Sequence, residues 1–301
     1  MPRVEVKQQM TAADQRAVSA LSDRAGRAGV HRFVDADPAS RWVMAWGPDG
    51  NDPVGFAQVS RDEPEWSLEL VVDPRSAAAL PAWESLVRAG VDVVGQEGGG
   101  PVRVWVHEAR PEHDAMAGAA GLDIERELYQ MRRPLPVKEP STLPTRGFVV
   151  GRDEQAWLEV NNRAFTGHPD QGGWTLEHIR RLEAEPWFEA EGLLLHEREG
   201  RLAGFCWNKV HEGADPPVGE LYVVAVDPGF QGLGLGRRLV VAGLDWLSHR
   251  RVDDRKLDWV ILYVDASNRA ALRLYESMGF GVHHADRAYT GVVPPISVPS
   301  P

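Results

Sequence analysis

The chain has 301 residues, with 33 Lys and Arg against 44 Asp and Glu, a formal net charge of -11 and one cysteine, Cys206. The acidic balance argues against nucleic acid as a partner, because phosphate backbones are gripped by basic surface. The lone cysteine excludes an internal disulfide framework, no apolar run reaches transmembrane length, and MPRVEVKQQM lacks the apolar core of a secretory signal, so a soluble cytoplasmic protein with no membrane partner is expected.

At this length two domains of about 150 residues are the prior. In the first half the apolar segments PVGFAQVS near Gly55, LELVVDPR near Val72 and VRVWVHEAR near Trp105 stand out, followed by Gly121. Met131 to Gly147, MRRPLPVKEPSTLPTRG, contains four prolines, which prevent regular hydrogen-bonded structure. The expected division is a domain over 1–135, a linker over 136–146, a second domain over 147–290 and a Pro-rich tail over 291–301.

Within the second half, Trp157 to Ile179 holds the core AFTGHPDQGGW, which has neither helical nor strand period and suits a binding loop or a surface turn. GFCWN is strand-like, with Cys206 expected in the core. Leu221 to Arg238, LYVVAVDPGFQGLGLGRR, then runs an apolar strand into a Gly-rich turn that opens a helix. Gln231, Gly234 and Gly236 form Q-x-x-G-x-G, where missing Cβ atoms let backbone N–H groups approach a pyrophosphate. This is neither the G-x-G-x-x-G dinucleotide fingerprint nor a Walker loop. The helix that follows carries Leu239, Val240, Leu244 and Leu247 on or near one face. Trp259 to Val264 is an apolar strand, Asp265 to Asn268 a polar turn, and Ala270 to Ser277 a helix closed by Gly279.

The halves repeat. PVGFAQVS corresponds to LAGFCWNKV, LELVVDPR to LYVVAVDPG, and VRVWVHEAR to VILYVDASN. The fold class is therefore α/β, two copies of one domain in tandem. Aligned on their Asp-Pro pairs, Ala77, Leu80 and Ala82 replace Gln231, Gly234 and Gly236, and Pro81 removes an N–H from the first turn. Ala117 replaces Tyr275, Arg110 replaces Asn268 and Trp66 replaces Glu220, so chemistry belongs in the second copy, with a weakened coenzyme site in the first left open because backbone groups make such a pocket.

The pyrophosphate turn and the strand-turn-helix over 259–279 resemble those of the GCN5-related N-acetyltransferases, which implies acetyl transfer from a thioester to an amine and makes two side chains catalytic candidates. Deprotonating an α-amine at pH 7 costs only about 1–1.4 kcal/mol, so Glu220 either takes that proton through a water or binds the ammonium before transfer. Tyr275 either protonates a thiolate leaving group, uphill by roughly 2 kcal/mol at reference pKa values, or donates a hydrogen bond to sulfur. A backbone N–H near Val224 or Val226, freed by a splay or bulge, is expected to meet the developing oxyanion. His168, His196 and His211 lack metal-ligand spacing, so no metal is expected. His168 and His211 are loop histidines or substrate contacts, and Trp174 and Trp207 line a pocket or pack the core.

The pyrophosphate turn and the LYVDASNRAALRLYESMGF segment together resemble the GCN5-related N-acetyltransferases, which implies a mixed central sheet flanked by helices in each domain and acetyl-CoA as cosubstrate. With NNRAFTGHPDQGGW, GFCWNKVH and ELYQMRRPL added, the chain resembles the mycothiol synthases, tandem acetyltransferases that acetylate the cysteinyl amine of cysteinyl-glucosaminyl-inositol. That resemblance covers nearly all of the second half and is patchier in the first. It implies acetyl-CoA contacts at Val224, Ala225 and Val226, at Gln231, Gly232, Leu233, Gly234, Leu235, Gly236 and Arg237, and at Asn268, Arg269, Ala270, Ala271, Leu272 and Arg273. It implies substrate contacts at Asp35, Asp170, Lys209, Glu220 and Tyr263. Asp170 is shorter than the Glu of relatives, and the first domain lacks their glycine-rich cradle. The rival readings are an acetyltransferase of the same fold acting on another small-molecule or peptide amine, and a non-catalytic coenzyme A sensor. A monomer is the default, since two copies already supply a cleft.

Overall fold

A computed structural model of the chain describes residues 2–25, 40–47, 50, 52–62, 64–137, 140–168 and 171–296. The chain folds into two units, Met1–Tyr129 with Asp265–Ser267 and His284–Pro301, and Gln130–Val264 with Asn268–His283.

In the first unit, β1 (Arg3–Lys7), β2 (Arg41–Trp46), β3 (Pro53–Asp62) and β4 (Glu65–Val72) are antiparallel neighbours, and β4 runs parallel to β5 (Gly100–Val106). Strand periodicity sends alternate residues to opposite faces. Val43, Ala45, Ala57 and Val59 pack with Trp83, Leu86 and Val87 of α2 (Ala79–Gln96). Trp42, Met44, Phe56 and Val71 pack instead with Val18 and Leu21 of α1 (Ala12–Arg24). After β5 come α3 (Pro111–Ala119) and β6 (Asp123–Pro134), whose residues from Gln130 on belong to the second unit.

The second unit continues through β7 (Arg146–Gly147), α4 (Glu154–Ala164), α5 (Leu176–Glu183), β8 (Leu193–Arg198), β9 (Arg201–His211) and β10 (Val218–Val226). β7 to β10 are antiparallel neighbours in chain order. The helix α6 (Leu235–Ser248), a small hairpin of β11 (Arg251–Val252) and β12 (Arg255–Lys256), β13 (Trp259–Asp265) and α7 (Arg269–Ser277) follow. Phe205 and Trp207 of β9 pack with Trp157 of α4, Val223 and Ala225. The intervening Cys206 and Asn208 face α6, where a Cβ on Gly243 would lie 2.5 Å from Cys206 Sγ and 2.6 Å from Asn208 Oδ1. Glycine there permits the helix to sit against the strand. Leu239, Val240, Leu244 and Leu247 are all fully buried, as the helical period of the sequence requires.

The last strand, β14 (Gly281–Val293), enters the first unit at His284 and pairs antiparallel with β5 from Arg287↔Val106 to Val293↔Gly100. Ile296 N donates to Gly95 O at 2.8 Å, so the chain beyond Gly291 continues as part of that unit through Ile296. Among the described residues no helix is long and apolar enough to cross a membrane.

Candidate active site

The site begins with an irregularity in β10. Leu221 pairs with Asn208 and Val223 with Trp207, leaving Tyr222 as an extra residue. Such a bulge bends the strand and increases its twist. On the other edge, β10 and β13 are in register at Gly219↔Val260 and Glu220↔Ile261 and then part. From Leu221 onward alternate N–H groups of β10 therefore point into a gap between strands, the arrangement needed for a donor near Val224 or Val226.

At the end of β10 the chain turns through Pro228–Phe230 and enters α6. Asp227 accepts from Gly229 N at 2.8 Å and from Arg163 at 2.6 and 2.8 Å, which ties the start of the turn to α4. Gly232 and Gly234 have φ of 79° and 71°, left-handed values that suit glycine, and a Cβ at either would meet nothing within 4 Å. Gly234 caps α6 without a side-chain acceptor. The backbone N–H groups of Gly232 to Arg237 make no hydrogen bond with the described residues, and they converge at a helix N-terminus. Open space, unspent donors and a favourable dipole make this a fitting pyrophosphate cradle.

The polar constellation lies beside the bulge. Register places Lys209 opposite Glu220, and Ile261 on its other side, so Lys209, Glu220 and Tyr263 share one face. Glu220 is buried at 6% exposure, and its Oε2 lies 2.6 Å from His211 Nε2. Lys209 Nζ sits 4.2 Å from the ring centroid of Trp187 and 5.6 Å from that of Tyr222, so aromatic faces hold its ammonium. Tyr263 is 44% exposed and accepts from Gln130 Nε2 at 2.6 Å. Tyr275 approaches from α7 on the Cys206 side, against Phe280. Burial, with a smaller contribution from the Cys206 thiol, pushes its hydroxyl up to about 12. Burial likewise raises the Cys206 thiol, which stays neutral in the core.

Other expected contacts resolve by side chain and backbone. Ala225, Leu235 and Leu272 bury their side chains, so only their backbone can reach a ligand. Val224 and Val226 are half-buried on the opposite face from Ala225. Asn268 accepts from Ala271 N at 3.1 Å and so caps α7, while Arg269, Ala270 and Arg273 are exposed. Gln231 and Leu233 are exposed at the turn, and Arg237 donates to Ser277 at 2.8 Å. Asp35 and Asp170 lie outside the described residues. His168 accepts from Gln171 N at 3.3 Å within the HPDQGGW loop, and Trp207 is fully buried. Sequence reasoning did not single out His211 as a partner of Glu220, nor the Arg163 to Asp227 brace. The two-residue spacing from Lys209 to His211, which puts them on one strand face, was the available signal for the former.

The acetyltransferase (GNAT) family model matches residues 155–280. The chain is 43% identical over 296 residues, covering 92% of this chain and 95% of the other, to the mycothiol acetyltransferase of Thermobispora bispora. It belongs to the mycothiol acetyltransferase family. The mycothiol acetyltransferase of Thermomonospora curvata is 53% identical over 201 residues, 65% of each chain. A tandem GNAT protein from the clavulanic acid biosynthesis pathway shares the fold, with a TM-score of 0.66 at 17% identity over 98% of this chain and all of the other.

In this mycothiol acetyltransferase family member the first unit lacks the features just described. The β3 to β4 register runs unbroken from Gly55↔Val72 to Asp62↔Glu65, and β4 stays paired with β5 over four residues. Its turn before α2 uses its own donors: Arg75 N bonds Asp73 Oδ1, Ser76 N bonds Asp73 O, Ala78 N bonds Ser76 Oγ and Ala79 N bonds Ser76 O. Trp66, at the position corresponding to Glu220, is 4% exposed and donates to Gly99 O.

Proposed function

We propose that the chain transfers the acetyl group of acetyl-CoA to the cysteinyl amine of cysteinyl-glucosaminyl-inositol, giving mycothiol and coenzyme A, and that the second unit carries the reaction. The observation that supports this most is the juxtaposition of unspent cradle amides with a bulged, splayed β10 and a buried Glu220. The family membership supplies the substrate class.

Acetyl-CoA supplies an activated thioester. The amides of Gly232 to Arg237 bind the pyrophosphate, and exposed Arg238, Arg269 and Arg273 add positive charge around it. A β10 N–H in the gap donates to the carbonyl oxygen as negative charge develops there, a contribution worth about 3–4 kcal/mol in other enzymes. Glu220 receives the amine proton, a small task energetically. With the Tyr275 hydroxyl at about 12, full proton transfer to a thiolate of reference pKa 8.5 is uphill by roughly 5 kcal/mol, so Tyr275 serves as a hydrogen-bond donor to sulfur. Lys209 and Tyr263 orient the sugar-bearing substrate, with Asp170 and Asp35 as further contacts. The protein acts on a small molecule in the cytoplasm, as a monomer and without a metal.

The test is release of coenzyme A thiol from acetyl-CoA by purified protein, with cysteinyl-glucosaminyl-inositol and with a panel of simple amines. Saturable release with the pseudodisaccharide alone supports the proposal. Release with another amine only would discard the substrate, and tight acetyl-CoA binding without turnover would point to a sensor.

A further inference from the structure

We infer that His211 is the route by which a proton leaves Glu220, a positioning residue that orients the carboxylate and carries its proton towards solvent. The inference rests on the reading that Glu220 takes the amine proton.

Burial separates Glu220 from solvent. The side chain of Glu220 is 8% exposed and that of His211 33%, with 2.6 Å between Oε2 and Nε2. Acetylation of an ammonium by a thioester yields an amide, a thiol and one proton, so a buried base must discharge one proton per turnover. Register makes His211 a diagonal neighbour of Glu220, two residues along β9 from Lys209. Among the described residues, register also puts Lys209, whose ammonium lies over Trp187 and Tyr222, and Tyr263 from β13, whose hydroxyl bonds Gln130, on this face. An ammonium has no acceptor and a phenol has a single oxygen, already bonded to Gln130, whereas an imidazole has two ring nitrogens and can take a proton at one and return it at the other.

The steps balance. An N–H bond of the substrate ammonium breaks and its proton joins Glu220, leaving the nitrogen lone pair free to form the C–N bond as the C–S bond breaks, with a second N–H proton passing to the departing sulfur. At rest His211 donates Nε2–H to the carboxylate; once Glu220 is protonated the ring proton exchanges through water to Nδ1, and the carboxyl O–H bond breaks as Nε2–H forms again. The imidazolium releases its Nδ1 proton to water and is again the Nε2–H donor to Glu220. Glu220 is again a carboxylate.

Four full-length proteins test this: wild type, His211→Gln, His211→Ala and Glu220→Gln, assayed for kcat and KM against pH with acetyl-CoA and cysteinyl-glucosaminyl-inositol. Gln keeps a donor to Glu220 but cannot accept and pass on a proton. The expected result is a fall in kcat of about tenfold in both His211 variants, with KM for the amine within about twofold, a moved acid limb of the kcat profile, and recovery of His211→Ala by added imidazole. Wild-type kcat and profile in His211→Gln would overturn the relay and leave a purely orienting contact. That result combined with a slow Glu220→Gln would spare the base reading. An unchanged pH profile in Glu220→Gln would overturn the base reading and the relay together.

Discussion

The Tyr275 hydroxyl stands in apolar surroundings that favour its neutral form, and its rise to about 12 keeps it protonated throughout the working range. It therefore contributes no basic limb to the pH profile below about pH 11. Tyr275→Phe is expected to slow the chemical step by about tenfold to a hundredfold while leaving acetyl-CoA affinity near wild type, read by single-turnover kinetics. Glu220→Gln should lower kcat by about a hundredfold or more, again with acetyl-CoA binding intact by calorimetry. Glu220 and Tyr275 were candidates in the sequence because each stands beside a motif that carries the family resemblance. Their environments were not, since burial of a phenol depends on which residues from distant segments close over it.

At the scale of elements, the Gly-rich turn joins strand to helix with space above it. A side chain at Gly234 would be sterically free but held at φ 71°, so Gly234→Trp should cost about 1 kcal/mol in stability and abolish coenzyme binding by filling the cradle. A folded variant that binds acetyl-CoA normally would contradict the placement. Gly243 presents the opposite case. Gly243→Ala drives its methyl onto Cys206, Asn208 and Leu221, and should destabilise the second unit by about 1–3 kcal/mol in denaturant titrations. At the start of α4, burial alone would raise Asp153, but Arg146, Arg152 and Val149 N hold it well below the usual carboxylate range. Its folded pKa is depressed, so its contribution is present above the unfolded value of about 3.9 and is lost as pH falls below it. Asp153→Asn should flatten the acid dependence of stability between about pH 4 and 2, a comparison that urea melts at stepped pH provide.

For the whole molecule, the repeat predicts two copies of one architecture, and the contrast between their turns predicts one working coenzyme site. Calorimetry should give one acetyl-CoA per chain, with none left in Gly234→Trp. A second stoichiometric equivalent would show that the first unit binds despite its self-bonded turn. The last strand supplies another test. Removing His284–Pro301 takes away the partner of β5 and the fully buried Tyr289. Hydrogen exchange should then rise across β4 and β5, because an uncovered strand edge loses its ladder. Unchanged protection there would mean the first unit completes its sheet without β14.

The sequence by itself determined the α/β class and the tandem repeat and offered a candidate cradle, because each follows from short-range spacing: apolar alternation and glycines at a turn; Glu220 and Tyr275 became candidates through the family resemblance. Tertiary structure decided the rest. The bulge at Tyr222, the parting of β10 from β13, the pairing of Glu220 with His211 and the assignment of β14 to the first unit all depend on strand register. Register is set by which faces bury against which helices across the whole unit, and no local run of residues carries that information.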